Sequence, residues 1–404
     1  MAAQQEPHDR HRWRALALLA LALVLSMTPW FSATAVIAQL REAWGFGPSF
    51  AAWLTIAVQL GFVLGALVSA LSGLADRVPV RRVIVCAAVG AALANALVLL
   101  ARSPAELLAA RMATGVCLAA VYPPALKLIA TWFVRGRGLA LGVLIGAITI
   151  GSAMPHLVNA FGGAQWQRVI AASTVATLAG AAVVGLLVRE GPYPFPVARV
   201  RLGDVGAILR NRGVVLATLG YFGHMWELYA MWAWFATFAA SAVASGGDPR
   251  TASLLTFVAI AAGLAGCIAG GLASDRIGRA RTAAIALAVS GACCIAAGWA
   301  HAAPPAVFLA IAMVWGASVI ADSAQFSALV TERADPRTVG TALTLQLGLG
   351  FLLTVATIWI LPLLAAALGS WRWVFLVLVP GPLLGVAAMW PLMRPRPGAG
   401  PARA

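Results

Sequence analysis

Charge is what this 404-residue sequence has least of: 10% of its residues are Asp, Glu, Lys or Arg, against about a quarter in a soluble globular domain. Acidic residues number 13, and lysine occurs once, at Lys127. No polar stretch is long enough to enclose a core of its own, which excludes a soluble catalytic domain and most classes of enzyme with it. No Walker-type phosphate loop occurs, so nucleotide hydrolysis is not the energy source. His156, His224 and His301 show no catalytic spacing. The five cysteines (Cys86, Cys117, Cys267, Cys293, Cys294) all lie in apolar runs, with neither a disulfide framework nor a metal-ligand pattern. No cofactor or metal is expected.

What fills the chain instead is hydrophobic residues, 62% of the total. Apolar runs recur at about 15–38, 50–72, 83–101, 106–133, 139–160, 167–188, 213–238, 251–273, 282–300, 305–330, 339–362 and 373–392. Twelve spans of about 22 residues would consume about 264 residues and leave short loops, two tails and one linker. Each run must be a helix, because a backbone amide in lipid needs its partner inside the same segment.

The net charge of +15 would suggest nucleic acid in a soluble protein, but here the basic residues sit in short loops between spans. With both termini on one side, that side holds 21 basic residues and the other five: Arg41, Arg102, Arg168, Arg250 and Arg372. The imbalance predicts cytoplasmic termini in a bacterial inner membrane, with the bilayer rather than nucleic acid as the partner. The Pro- and Arg-rich segment 189–212 divides the chain into a bundle at 1–188 and a second at 213–404. A plain linker is expected there, with a short surface helix over Gly203 to Arg210 as the lesser alternative.

Each half repeats one loop after its second span. The first reads Ser72-Gly73-Leu74-Ala75-Asp76-Arg77-Val78-Pro79, the second Gly271-Leu272-Ala273-Ser274-Asp275-Arg276-Ile277-Gly278-Arg279. Asp76 and Asp275 are 199 positions apart, near half the chain, which points to a duplicated six-helix unit. An Asp at a helix end can cap a neighbouring helix and accept from Arg, so Asp76, Arg77, Asp275, Arg276 and Arg279 are expected to form latches between sliding elements.

These paired loops resemble the signature G-x-L-A-D-R-x-G-R-[KR] of the major facilitator superfamily. The second loop matches well; the first departs at Ser72 and Pro79. The resemblance implies an all-α membrane protein of twelve transmembrane helices in two pseudo-symmetric six-helix bundles. It also implies a monomeric secondary transporter, not an enzyme, with spans 1, 4, 7 and 10 lining a central cavity.

Ionisable groups at bilayer depth are costly and normally face a pathway. Here they are Arg111 and Lys127 in the fourth span, His224 and Glu227 in the seventh and Asp322 in the tenth. His224 and Glu227 lie three apart on one helix face, which suits proton coupling, or else a structural contact between helices. Arg111 with Gly115 resembles an R-x-x-x-G element of the family's fourth span, associated with substrate or proton coupling. Lys127 is expected either to bridge to Asp322 across an inner gate or to bind an anion directly.

Tyr122, Tyr221 and Tyr229 are further substrate candidates, since a buried phenol needs a partner. Trp232 and Trp234 fit an interfacial belt. Gln59, Asn159, Gln325 and Gln346 add uncharged polar groups. Two deep cations with few carboxylates predict proton-coupled transport of a small organic anion such as a carboxylate. The alternatives are a drug/proton efflux antiporter, although the fifth span lacks the Gly-Pro pair of that group, and a membrane sensor.

Overall fold

The computed structural model describes residues 6–133, 136–161, 165–193, 200 and 202–394, the side chains of residues 6–10, 48, 75, 76 and 202 excepted. Among these residues, eleven helices are long and apolar enough to cross a membrane: α1 (His11–Phe31), α2 (Ser49–Ser72), α3 (Val80–Leu99), α4 (Pro104–Ala130), α5 (Arg137–Phe161), α6 (Trp166–Leu187), and, after a gap, α8 (Pro249–Ile277), α9 (Arg279–Ala300), α10 (Pro305–Arg333), α11 (Val339–Leu368) and α12 (Val374–Met393). The remaining helix, α7 (Arg212–Ser241), is 30 residues long. Its length suits a span, but His224, Glu227 and its tyrosines lower its hydropathy. The architecture is the all-helical one expected.

Helix starts follow local chemistry. Proline occupies the first turn of α4, α8 and α10, where its missing N–H costs nothing. Ser103, Asn211 and Asp248 cap α4, α7 and α8 by accepting from backbone amides one turn ahead. Asp248 accepts in addition from the Thr251 hydroxyl, and these bonds hold its carboxyl below the usual range. The 189–212 segment departs from a plain linker: a short 3-10 turn leads into a helix at Val205–Arg210 just before α7. Residues 194–199 and 201 lie outside the described residues.

The two halves meet along α2 against α11 and α5 against α8. We call the side carrying loops 77–82, 276–281 and 333–337 the basic side and the other the distal side. On the distal side Asn159 of α5 donates to Ser253 of α8 at 3.0 Å and to the carbonyl of Ala35. On the basic side the Asp275 carboxylate lies over the first turn of α5, where a Cβ added at Gly138 would be 3.7 Å from its Oδ1. This placement, at the positive end of a helix in the opposite half, suits the expected capping role.

The paired arginine of that loop is Arg279, which meets Glu332 on α10. Arg77 and Arg276 are exposed and make no ion pair among the described residues. The side chain of Asp76 lies outside the described residues.

Inside the second half, α8 and α10 approach almost to backbone contact. A Cβ at Gly266 would overlap the Ala317 carbonyl, and one at Gly316 the Ala259 carbonyl. Backbone cannot swing aside as a side chain can. Gly316→Val should therefore separate the helices and cost about 3 kcal/mol or more. A fall in melting temperature and loss of a monodisperse peak on gel filtration would register this.

Candidate functional site between the two halves

The distal end of α1 is irregular. Pro29 sets a 3-10 turn over Thr28–Phe31, leaving carbonyls that no regular helical amide meets. Arg111 of α4 meets them: its Nη1 donates to the Pro29 carbonyl at 2.8 Å and its Nη2 to that of Trp30 at 2.6 Å. Nη1 also reaches Ser32 Oγ and Asn95 Oδ1, and Nε reaches the Leu54 carbonyl on α2 at 3.3 Å. Asn95 in turn donates to the Ile170 carbonyl and to Thr174 on α6.

Gly115 explains the spacing of the R-x-x-x-G element. A Cβ there would overlap the Val58 carbonyl, so glycine lets α2 come close enough for Arg111 to reach Leu54. Arg111 is fully buried, and its donors are spent on helices of its own half. The geometry makes it a pin for the α1 turn.

The pinned turn carries Trp30 and Phe31, and these meet the other half. Trp30 stacks on Tyr229 of α7 with ring centroids 5.7 Å apart; Phe31 packs on Tyr229 at 6.3 Å and edge-on to Trp232 at 5.8 Å. Phe62 of α2 meets Phe351 of α11 at 4.4 Å, and Phe351 meets Tyr229 at 5.1 Å. Tyr122 of α4 reaches Phe62 at 6.4 Å, on the basic flank of this cluster. Tyr229 and Tyr122 are thus drawn together with residues that the sequence reading did not single out: Trp30, Phe31, Phe62 and Phe351.

Trp232 and Trp234 are corrected by the structure. Both are buried rather than interfacial, Trp232 against Phe31 and Trp234 with its indole N–H on the Ile358 carbonyl at 2.8 Å. The close meeting of α1, α7 and α11 encloses them.

Polar groups without a hydrogen-bond partner among the described residues collect around the same cluster. They are both ends of Gln59, one turn before Phe62, the indole N–H groups of Trp30 and Trp232, and the amide nitrogen of Gln346 on α11. Each such group costs about 1–3 kcal/mol unless something hydrogen-bonds it. His156 on α5 is also buried with neither ring nitrogen bonded.

The acidic and imidazole groups of α7 and α10 form two separate clusters. Nδ1 of His224 lies 2.8 Å from Oδ1 of Asp322, and its Nε2 is 2.8 Å from the Ser323 hydroxyl. Asp322 sits where α10 breaks between helical segments ending at Ala321 and starting at Ser323. Asp322 is thus joined to the α7 histidine of its own half.

Glu227, although one turn from His224, turns towards α9 and α10. Ser290 donates to it at 2.9 Å, Cys294 approaches at 3.2 Å and the Trp315 indole donates as well. Tyr221 packs on His224 and Phe326 inside the second half.

The two ends of the interface differ in closure. Residues 26–37 and 227–235 are buried without exception on the distal side. On the basic side Tyr122 and Lys127 are half-buried, and Ser327 and Thr331 of α10 are exposed.

A two-bundle helical carrier, sealed on one side by aromatic contacts between its halves, is the class that this geometry defines. The sequence model of the Major Facilitator Superfamily matches residues 19–345. The chain belongs to that superfamily. It is 32% identical over 215 residues to the cephamycin export protein CmcT of Amycolatopsis lactamdurans, covering 49% of this chain and 43% of that protein. It is 34% identical over 152 residues to the multidrug efflux pump LfrA of Mycolicibacterium smegmatis, covering 36% and 29%. The chain spans about half the length, or less, of the curated relatives it matches.

Among solved structures, the proton:xylose symporter XylE superposes with a TM-score of 0.75 at 14% identity, covering 96% of this chain and 97% of that one. A bacterial homologue of the human lysosomal transporter Spinster, in an inward-facing state, gives 0.72 at 15% identity, covering 95% and 97%. These two likenesses concern the fold.

Proposed function

We propose that the chain is a monomeric secondary transporter that exports a small amphipathic organic solute by alternating access, coupled to protons. The observation that carries this reading is the one-sided closure: aromatic rings seal the distal end while the basic side retains half-buried polar groups. Taking the basic side as cytoplasmic, from the bias of its arginines, the state is inward-facing. The basic side then belongs to the inner membrane surface, and both termini lie in the cytoplasm.

The solute's planar part would stack in the Trp30, Phe62, Tyr229 and Phe351 cluster, with Tyr122 and Tyr221 nearer the entrance. Its polar atoms would satisfy Gln59, the indole N–H groups and Gln346. Arg111 supports binding by holding Trp30 rather than by touching solute. An acidic group on the solute would meet Lys127, which keeps the organic-anion reading in an exporter. The likeness to a cephamycin export protein, CmcT, and a multidrug efflux pump, LfrA, supports export over uptake.

Inside-out vesicles test this. A fluorescent aromatic carboxylate should accumulate when the lumen is acidified, and Tyr229→Ala should lower the rate about tenfold, since a lost aromatic stack and its buried area are worth about 1.5 kcal/mol. Equal accumulation of a sugar of similar size, or no effect of Tyr229→Ala, would sink the aromatic site. Accumulation of an aromatic cation in preference to the carboxylate would remove Lys127 from recognition.

A further inference from the structure

The second half carries an apolar furrow on its lipid side that the transport cycle does not use. Near the basic side it is a recess of about 370 Å³ between α8, α9 and α10, walled by Ala269, Ala273, Ile277, Ile285 and Ala317 among others. It continues, through the shared residues Val289 and Val314, into a second recess of about 500 Å³ between α9 and α10 that reaches Ala296 and Ala310. From Thr282 to Ala296 the furrow follows α9 for about 21 Å, against about 15 Å for one leaflet of the hydrocarbon core.

Small side chains make it. Gly266 and Gly316 pull α8 onto α10, and the alanines facing outward are too short to fill the space left beside α9. Its rim is apolar and exposed, with Ile285 at 56% and Val314 at 50%.

Basic groups outnumber acidic ones at its basic-side mouth. Arg276 and Arg281 are exposed there: Arg281 is one turn from Ile285 on α9, and Arg276 adjoins Ile277. The nearby acids are engaged elsewhere, Asp275 over the start of α5 and Glu332 on Arg279. An apolar channel of acyl-chain length ending under two exposed guanidinium groups, with no acidic partner among the described residues, complements an anionic amphiphile.

We propose that this furrow is a binding site for an anionic diacyl phospholipid of the basic-side leaflet, with the phosphate on Arg276 and Arg281 and one acyl chain laid along α9. Guanidinium meets phosphate by paired N–H···O bonds, and a zwitterionic lipid, carrying its own cation beside the phosphate, is held less well. Bound lipid would brace α8 against α10, the elements whose contact frames the second half.

Native mass spectrometry of the full chain released from detergent tests this, with phosphatidylglycerol, phosphatidylcholine and soluble glycerol 3-phosphate as probes. Phosphatidylglycerol should be retained about tenfold more than phosphatidylcholine and should raise the melting temperature, as a ligand bound only by the folded state does. Glycerol 3-phosphate should do neither. The double variant Arg276→Gln/Arg281→Gln should retain the two lipids equally.

Ala269→Phe, at an exposed furrow position, should lower retention of both lipids while leaving the melting temperature in lipid-free detergent unchanged. Ala292→Phe, exposed at the furrow's other end, is the second variant should the first misfold. Equal retention of the two lipids by the native chain would overturn the proposal. So would indifference to both the arginine and the furrow variants, a response to glycerol 3-phosphate matching that to lipid, or a dimer that the furrow variants abolish.

Discussion

Arg111→Met should lower the stability of the protein by about 3 kcal/mol and abolish transport as a consequence, because it removes a buried guanidinium that ties the carbonyls of Pro29, Trp30 and Leu54 to α4. Methionine fills much of the arginine's volume but donates nothing to Trp30, and it leaves Pro29 with the Ser32 donors and Leu54 with its helical amide alone. Lysine at this position would be an intermediate case: one ammonium cannot span acceptors on α1, α2 and α3 together.

The loss should propagate to Trp30 and Phe31, whose rings close the distal side against Tyr229 and Trp232. A thermal melt in detergent and the tryptophan emission maximum measure the two effects. If Arg111 were instead a ligand for solute, the variant would melt at the native temperature and lose only affinity. That outcome would remove the pin and restore the sequence-based role.

The difference between those two roles is a difference between what a sequence displays and what packing decides. The depth of Arg111 along α4 is readable from its position in an apolar run, and so was its cost. Its direction is set by how near α2 comes, which depends on Gly61 and Gly115 meeting backbone of the facing helix. No periodicity within either helix encodes that.

His224 and Glu227 illustrate the same limit. Their spacing of three places them on one face, yet α9 offers Ser290 and Cys294 to Glu227, and α10 offers Asp322 to His224. The aromatic cluster was invisible for another reason: Phe62 and Phe351 are single rings in apolar runs and look like any lipid-facing residue. Pro29 was a usable signal, since proline near the end of a span marks a break where backbone becomes available for function. The basic loops, the repeat and the twelve runs were legible because they follow from hydropathy and charge alone.

Under the proposed proton coupling, Asp322→Asn should uncouple transport from protons while sparing exchange of solute. With one proton moved per solute, a gradient of one pH unit supports about tenfold accumulation, since each unit is worth about 1.36 kcal/mol. The proposed coupling would place that proton on the His224–Asp322 pair, two groups buried at the break in α10. Asparagine keeps the shape and can still hydrogen-bond His224 but has no acidic proton to take up or release. Accumulation should then fall to about onefold, with counterflow of labelled solute retained.

Glu227→Gln should do less, lowering accumulation by about twofold to threefold. The amide can still accept from Trp315 and donate to Ser290, and the carboxylate faces α9 rather than the α10 break. Accumulation and counterflow measured side by side in proteoliposomes of both variants decide the assignment. Full accumulation in Asp322→Asn with none in Glu227→Gln would move the coupling site to Glu227 and leave His224–Asp322 as a brace between α7 and α10.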